Sequence, residues 1–174
     1  GRSLTMSWIE TLRDWLLGLS VGEQAVIGVA LFIAVVLWEK VRHRVRRTED
    51  LNESMWRKED TAIGHGRRGL FYLERGDLDE AEAMYKKALD INKDLGCKRR
   101  MAANYEALGH VYLKTGDLDQ AEAVYKKALG LSKDLGRKDD MATSYNALGD
   151  VYQKRGTLNE AEAMLKKALD INKD

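Results

Sequence analysis

From residue 61 onward, apolar residues recur every three or four positions in segments separated by short polar breaks. This spacing places them on one face of an α-helix, which has 3.6 residues per turn. The clearest pair of segments flanks Thr115-Gly116-Asp117. This part of the chain is therefore predicted to form helical hairpins. The apolar positions of that pair are Ala102, Tyr105, Leu108, Gly109, Val111 and Tyr112, then Leu118, Ala121, Val124, Tyr125, Ala128, Leu129 and Leu131.

The hairpins repeat at a fixed interval. Gly76, Gly116 and Gly156 are spaced by 40 residues. Self-similarity at such a period is typical of a solenoid, in which each unit buries its apolar face against its neighbours. The sequence thus predicts an all-α helix-turn-helix repeat solenoid over residues 61–174. Its three repeats cover about 61–100, 101–140 and 141–174.

Local signals place the turns and helix starts. Gly116 suits a left-handed helix end, where a side chain is penalised. A capping signature begins the second helix of every repeat. A Glu–Lys pair at i, i+4 on the same helix predicts that this face is exposed to solvent. The signatures are Asp77-x-x-Glu80, Asp117-x-x-Gln120 and Thr157-x-x-Glu160, and the pairs are Glu82/Lys86, Glu122/Lys126 and Glu162/Lys166.

A different pattern precedes the repeats. Ser20-Val21-Gly22-Glu23 has the form of a capping box, and Ala25–Trp38 contains no polar side chain. Val21–Trp38 would form about 27 Å of helix, just enough for a hydrocarbon core of about 30 Å. Residues 20–41 are therefore predicted to form a transmembrane helix. A buried hydrophobic helix or an oligomerisation element is the alternative. A signal peptide would need a basic start and a small-residue cleavage site, and neither is present.

The segment before the span is amphipathic. Residues 6–19 carry an apolar stripe with Trp8 and Trp15, which suits a helix lying in a membrane interface. An ordinary amphipathic helix docked on protein is the alternative. Residues 1–5 precede Met6, which resembles a natural start, and are interpreted as a cloning remnant.

The charges after the span predict its orientation. Five basic residues follow Trp38 within ten positions, whereas only Arg13 is basic between Met6 and the span. By the positive-inside rule, the repeats face the cytoplasm and the N-terminus lies outside. Residues 42–60 are read as a basic juxtamembrane segment and a helical connector. The basic run is primarily a topology signal, and binding to anionic lipid head groups is the alternative. The predicted membrane-interface residues are Trp8, Trp15, Trp38, Lys40, Arg42, Arg44, Arg46 and Arg47.

Composition argues against several kinds of function. The chain has 29 Lys and Arg against 28 Asp and Glu, without the basic excess that nucleic-acid binding requires. Its single cysteine, Cys97, cannot form an internal disulfide, and no Cys/His set has metal-ligand spacing. No phosphate loop or nucleophile motif is present. We therefore expect no enzyme, no metal and no cofactor.

The pattern Y-x-x-L-G-x-x-Y … G … A-x-x-x-Y-x-x-A resembles the tetratricopeptide repeat family. In this family the repeats form a right-handed solenoid. The period of 40 residues, instead of about 34, is similar to the longer-repeat subclass of kinesin light chains and polarity adaptors. In the first repeat His65 and Arg68 replace two motif positions. The matching residues are Tyr105, Leu108, Gly109, Tyr112, Gly116, Ala121, Tyr125 and Ala128; Tyr145, Leu148, Gly149, Tyr152, Gly156, Ala161, Leu165 and Ala168; and Gly69, Tyr72, Gly76, Ala81, Tyr85 and Ala88.

The resemblance implies a concave groove lined by the first helix of each repeat, which takes extended peptides or partner helices. Ala107 and Ala147 stand where the longer-repeat subclass often has an asparagine that holds a peptide backbone. The basic carboxylate clamp of chaperone-binding relatives is not evident either. The implied groove residues are Ala103, Glu106, His110, Leu113 and Lys114, then Thr143, Asn146, Asp150, Gln153 and Lys154.

Together these features predict a membrane-anchored adaptor whose cytoplasmic repeats bind a protein or peptide partner. One alternative is a self-assembling structural protein, because the second helix of the last repeat keeps an uncovered apolar face and Ala30-xxx-Ala34 could help helices pair. Another alternative is the regulatory part of a larger signalling protein or enzyme, truncated after Asp174.

Overall fold

The computed structural model describes residue 15 and residues 17–171, and this part of the chain is all α-helical. The predicted interfacial helix 6–19, Trp8 and the remnant 1–5 lie outside the described residues, apart from the end of the helix. The described chain divides into two compact units, Gly1–Asn52 and Glu53–Asp174. Its helices are α1 Val21–Arg75, α2 Leu78–Asp94, α3 Lys98–Thr115, α4 Leu118–Asp134, α5 Lys138–Arg155 and α6 Leu158–Ile171.

The predicted capping box opens α1. The backbone N–H of Ser20 donates to Glu23 Oε2 at 2.9 Å, and the Glu23 N–H donates to Ser20 Oγ at 3.4 Å. The helix then continues to Arg75 through the predicted boundaries at residues 41 and 60. The chain contains no proline to break it, and the Glu53–Arg57 pair at i, i+4 (2.5 Å) supports it. The predicted helical connector is therefore a continuation of α1.

The apolar part of α1 lies in the first unit with its side chains exposed. By length and composition α1 could cross a membrane, and none of its most apolar 18-residue window is buried. Phe32 and Trp38, on different faces of the helix, are both well exposed. A helix that is apolar on every side needs an apolar environment.

The second unit consists of stacked helical hairpins. The C-terminal part of α1 from residue 61 precedes α2, and α3–α4 and α5–α6 form the following pairs. One apolar core runs through all of them. Its fully buried members include Ala81, Val111, Ala121, Tyr125 and Val151. The predicted all-α solenoid of helix-turn-helix repeats is confirmed.

The turns follow the predicted glycines. Gly76, Gly116 and Gly156 each have φ of +84°, a left-handed conformation that glycine adopts without penalty. Only three residues join α2 to α3 and α4 to α5. The six residues beyond the usual period therefore lengthen the helices, which contain 17 or 18 residues in α2 to α5.

Another glycine is required for close helix packing. A Cβ added at Gly109 would lie 2.4 Å from the Tyr125 ring. Tyr125 is fully buried, so the ring has no room to withdraw. Gly69 approaches Tyr85 in the same way, and Gly149 approaches Leu165. The motif glycine thus marks the crossing of the two helices within each repeat.

The predicted caps are only partly confirmed. Asp117 caps α4, since its carboxylate accepts from the Gln120 N–H at 3.0 Å. Asp77 occupies the N-cap position of α2 as predicted, but its side chain accepts no cap hydrogen bond and instead pairs with Arg75 at 3.2 Å. The Thr157 hydroxyl donates to the Tyr152 carbonyl at 3.3 Å.

The Glu–Lys pairs prove to be more than a solvated face. Glu82 and Glu122 pair with Lys86 and Lys126 at 2.6 Å, as predicted. Both carboxylates are largely covered, however, because the following repeat lies against them. Glu122 accepts a hydrogen bond from the Tyr152 hydroxyl at 2.7 Å and forms an ion pair with Arg155. These carboxylates join one repeat to the next.

Candidate partner-binding groove

The first helices of the second and third repeats, α3 and α5, lie side by side. The Ser144 hydroxyl donates to Glu106 Oε1 at 3.0 Å, and Lys154 Nζ lies 3.5 Å from the Leu113 carbonyl oxygen. These contacts fix the register between α3 and α5. They bring the two predicted rows of groove residues next to each other.

The predicted groove residues occupy the accessible side of these two helices. Glu106 and Leu113 are half-buried, and the other eight are exposed. Their role in binding stays a prediction, since no ligand is present. The exposed members are Ala103, His110 and Lys114 on α3, and Thr143, Asn146, Asp150, Gln153 and Lys154 on α5.

His110 lies in the middle of the groove row on α3, and the fully buried Tyr125 contacts it from the core. The Tyr125 hydroxyl on α4 lies 3.2 Å from His110 Nδ1, and the two rings meet edge to face with centroids 5.8 Å apart. Burial lowers the pKa of His110, helped by the positive charge of Lys114 and opposed by Asp150. The imidazole is therefore neutral near pH 7, and its exposed edge offers a ring nitrogen to a ligand.

Two carboxylates flank this contact. Burial raises the pKa of Glu106; the hydrogen bond from Ser144 opposes this increase, and the charge of Asp140 adds to it. Burial, followed by the charges of Asp150 and Glu106, raises the pKa of Tyr125. The negative charges of both carboxylates therefore disfavour ionisation of the Tyr125 hydroxyl.

Basic residues lie further along the same helices. Lys114 and Lys154 come one turn after His110 and Asp150, at the C-terminal end of α3 and α5. The groove is consequently acidic in its middle and basic at one end. A chain bound along it would meet a change of charge between the middle of the groove and that end.

Sequence reasoning missed Tyr125 and Ser144 as parts of this site. The sequence pattern assigns Tyr125 only to the core, whereas in the structure its buried hydroxyl also contacts His110 of the groove. A signal existed at this position, because the third repeat has Leu165 there and a leucine would have filled the core equally well. Ser144 carries no such signal.

Of the predicted membrane-interface residues, Trp8 lies outside the described part of the chain, Trp15 comes before α1, and the others lie along α1. Trp15, Trp38, Lys40, Arg44, Arg46 and Arg47 are exposed. The Arg42 guanidinium lies 5.6 Å from the Trp38 ring centroid and also pairs with Glu39 at 3.3 Å. Within the described residues, no group of three or more His, Cys, Asp or Glu side chains could hold a metal ion.

A family model for the tetratricopeptide repeat matches twice, over residues 60–134 and 100–174. The two matches together cover about two-thirds of the chain. The chain belongs to the tetratricopeptide repeat family. Tetratricopeptide repeats generally mediate protein–protein interactions, and those of similar structure are typically non-enzymatic scaffolds. No curated protein matches the chain.

Several solved tetratricopeptide structures are similar. BtubC (BKLC) from P. vanneervenii is 26% identical, with a TM-score of 0.61 over 64% of this chain and 46% of that one. The TPR domain of Arabidopsis FLU is 20% identical, with a TM-score of 0.63 over 67% of this chain and 99% of that one. The kinesin light chain TPR-like repeats of Podosopora anserina are 18% identical, with a TM-score of 0.57 over 66% of this chain and 57% of that one. The chain thus spans about half the length of BtubC, and the two less similar structures share its fold.

Proposed function

We propose that the chain is a membrane-anchored adaptor. In this proposal α1 holds the tetratricopeptide repeats at the cytoplasmic face of a membrane, and the groove between α3 and α5 binds a protein or peptide partner. One observation carries the proposal: the groove residues form two accessible rows that lie side by side on α3 and α5. The hydrogen bond from Ser144 to Glu106 at 3.0 Å fixes their register.

The anchor is supported by the first unit. In the apolar segment of α1 between Val26 and Trp38 nearly all side chains are exposed, and five basic residues follow Trp38. In water this arrangement would leave a large apolar surface uncovered, whereas a bilayer would cover it. The basic residues after Trp38 would then lie on the cytoplasmic side. A single span with the N-terminus outside accounts for both features.

The charges of the groove suggest the chemistry of its partner. An extended segment with a basic or amide side chain would suit Glu106 and Asp150, and an acidic side chain would suit Lys114 and Lys154. Neutral His110 can accept or donate a hydrogen bond to the backbone between them. We therefore propose a peptide of mixed charge, bound in one direction.

The test reverses the groove charges in the full chain. A variant carrying Asp150→Lys and Lys114→Glu changes two exposed groove residues and keeps the contacts that fix the register of α3 and α5. Lys87→Glu on α2 is the matched control, an exposed charge reversal outside the groove. Each tagged chain is cross-linked in membranes of its native cell, and the retained proteins are compared.

We expect a partner that the wild type and Lys87→Glu both retain and the groove variant loses. Like charges facing each other across an interface cost several kcal/mol, enough to remove it. If all three chains retain the same proteins, the groove is not the binding surface. If α1 is an anchor, the chain also stays in the membrane fraction after a carbonate wash.

A further inference from the structure

The second helix of the third repeat has an uncovered face. Leu158, Leu165 and Leu169 on α6 are 66%, 39% and 60% exposed. Their counterparts 40 residues earlier include Tyr125 and Leu129, which are 0% and 8% exposed because α5 lies over them. The face of α6 therefore has the composition of an inter-repeat surface without a following repeat on it.

The same face of α6 also carries the carboxylate that binds the next repeat elsewhere in the solenoid. Inside the solenoid, Glu122 receives the Tyr152 hydroxyl at 2.7 Å and the guanidinium of Arg155. Glu162 is the counterpart of Glu122 on α6. It is exposed and makes no ion pair with any residue that the structure describes.

The first repeat presents the complementary surface. Tyr72 and Arg75 on α1 lie 80 residues before Tyr152 and Arg155, at the same repeat positions. Phe71 is 53% exposed, whereas its counterpart Val151 in the third repeat is completely buried. The outer side of α1 thus carries the apolar, hydroxyl and guanidinium groups that cover a preceding repeat elsewhere.

We propose that a second copy of this chain covers α6, with residues 61–75 of its α1 packed against it. Tyr72 and Arg75 of the second copy take the places of Tyr152 and Arg155 and meet Glu162. The contact is head-to-tail, so it leaves a free α1 surface and a free α6 surface at the two ends of a pair. The same junction then adds further copies.

Local differences set the strength of this contact. Arg155 also pairs with Asp119 at 2.7 Å, and Asn159 stands in that position on α6. Arg68 replaces Leu148, which adds a positive charge beside Phe71. To pair with Glu162, Arg75 has to give up its ion pair with Asp77. The Arg75–Asp77 pair is solvent-exposed and therefore contributes little. The junction is therefore weaker than a contact within the chain.

The test is charge reversal across the junction. The full chain is studied in detergent micelles by sedimentation velocity over a range of protein concentrations. The variants are Arg75→Glu, Glu162→Arg and the two together, and Glu160→Arg on the same helix is the control. Far-ultraviolet circular dichroism verifies that each is folded.

We expect the wild type and Glu160→Arg to associate with increasing concentration. Each junction variant alone should associate about tenfold more weakly, because it places two like charges together, and the double variant should recover association. A chain that stays monomeric at every concentration overturns the proposal, and the face of α6 then has another occupant. Association that neither single reversal changes also overturns it, since the copies then meet through a different surface such as the apolar part of α1. The junction lies outside the groove, so the groove proposal can fail or succeed independently.

Discussion

The hydroxyl of Tyr152 donates a 2.7 Å hydrogen bond to Glu122 of the preceding repeat, and Tyr112 makes the same bond to Glu82. We expect Tyr152→Phe to lower the free energy of unfolding by about 1 kcal/mol, because Glu122 loses one of its donors. Chemical denaturation of the full chain in micelles measures the change.

Tyr72→Phe provides the control for that substitution. Tyr72 occupies the same repeat position, but its hydroxyl bonds to no residue that the structure describes. At protein concentrations at which the chain is monomeric, removing this hydroxyl should change the free energy of unfolding by less than about 0.5 kcal/mol. Equal losses in the two variants would show that the bond to Glu122 contributes nothing.

Glu122 should also make the solenoid sensitive to acid. Hydrogen bonds from Lys126, then Arg155 and Tyr152, lower the pKa of Glu122 from 4.5 to about 2. A carboxyl whose pKa is lower in the folded state stabilises the fold above its unfolded pKa and loses this effect as it is protonated. The contribution is therefore present above pH 4.5 and disappears as the pH falls towards 2.

Glu122→Gln isolates this contribution. We expect the variant to be about 1–2 kcal/mol less stable at neutral pH and to lose less stability than the wild type between pH 4.5 and 2. Glu82 and Asp140 also have lowered pKa values, so part of the acid sensitivity remains. Parallel pH profiles for the two chains would contradict the assignment.

Gly109 and Gly130 provide a second matched pair. Gly109→Ala places a Cβ 2.4 Å from the buried Tyr125 ring, and we expect it to cost about 1–3 kcal/mol. Gly130→Ala meets no atom within 4 Å and should stabilise α4 by about 0.5–1 kcal/mol. Thermal unfolding checks both predictions, because the first substitution should lower the melting temperature and the second should raise it.

Gly149 should be more tolerant than Gly109. Its added Cβ would lie 3.0 Å from Leu165, whose side chain is partly exposed and can move. Gly149→Ala should therefore cost less than Gly109→Ala. The reverse order would mean that packing at the two helix crossings differs from that described.

Cys97 tests the orientation of the anchor. It is the single cysteine of the chain and lies in the turn between α2 and α3. In intact cells we expect a membrane-impermeant maleimide to leave Cys97 unlabelled, and permeabilisation to expose it. Ser7→Cys in a Cys97→Ser background should give the opposite result. Labelling of Cys97 in intact cells would place the repeats outside.

The elements that the sequence predicted well depend on local signals. Gly116 and the capping box of Ser20 and Glu23 act within one helical turn, and both appear as expected. The crossing of Gly109 over Tyr125 also follows from the repeat pattern, because both positions belong to the motif.

The elements that the sequence did not predict depend on distant partners. Glu122 and Lys126 look like a solvated i, i+4 pair, and nothing within the helix shows that Tyr152 and Arg155 of the next repeat cover the carboxylate. Asp77 has a good cap sequence, yet Arg75 attracts its side chain. The adjacency of the groove rows followed from the family resemblance, whereas the Ser144–Glu106 bond between them had no sequence signal.

The position of the groove has a consequence for how binding could be detected. Its two rows belong to the middle repeat and to the third repeat, whose second helix is the least covered of the described solenoid. In a repeat protein, the stability of each unit depends on its neighbours, so α6 should open most often. A ligand that clasps α3 and α5 together would bind only when the third repeat is folded. Partner binding should therefore slow amide hydrogen exchange in α6, a helix that the partner does not touch.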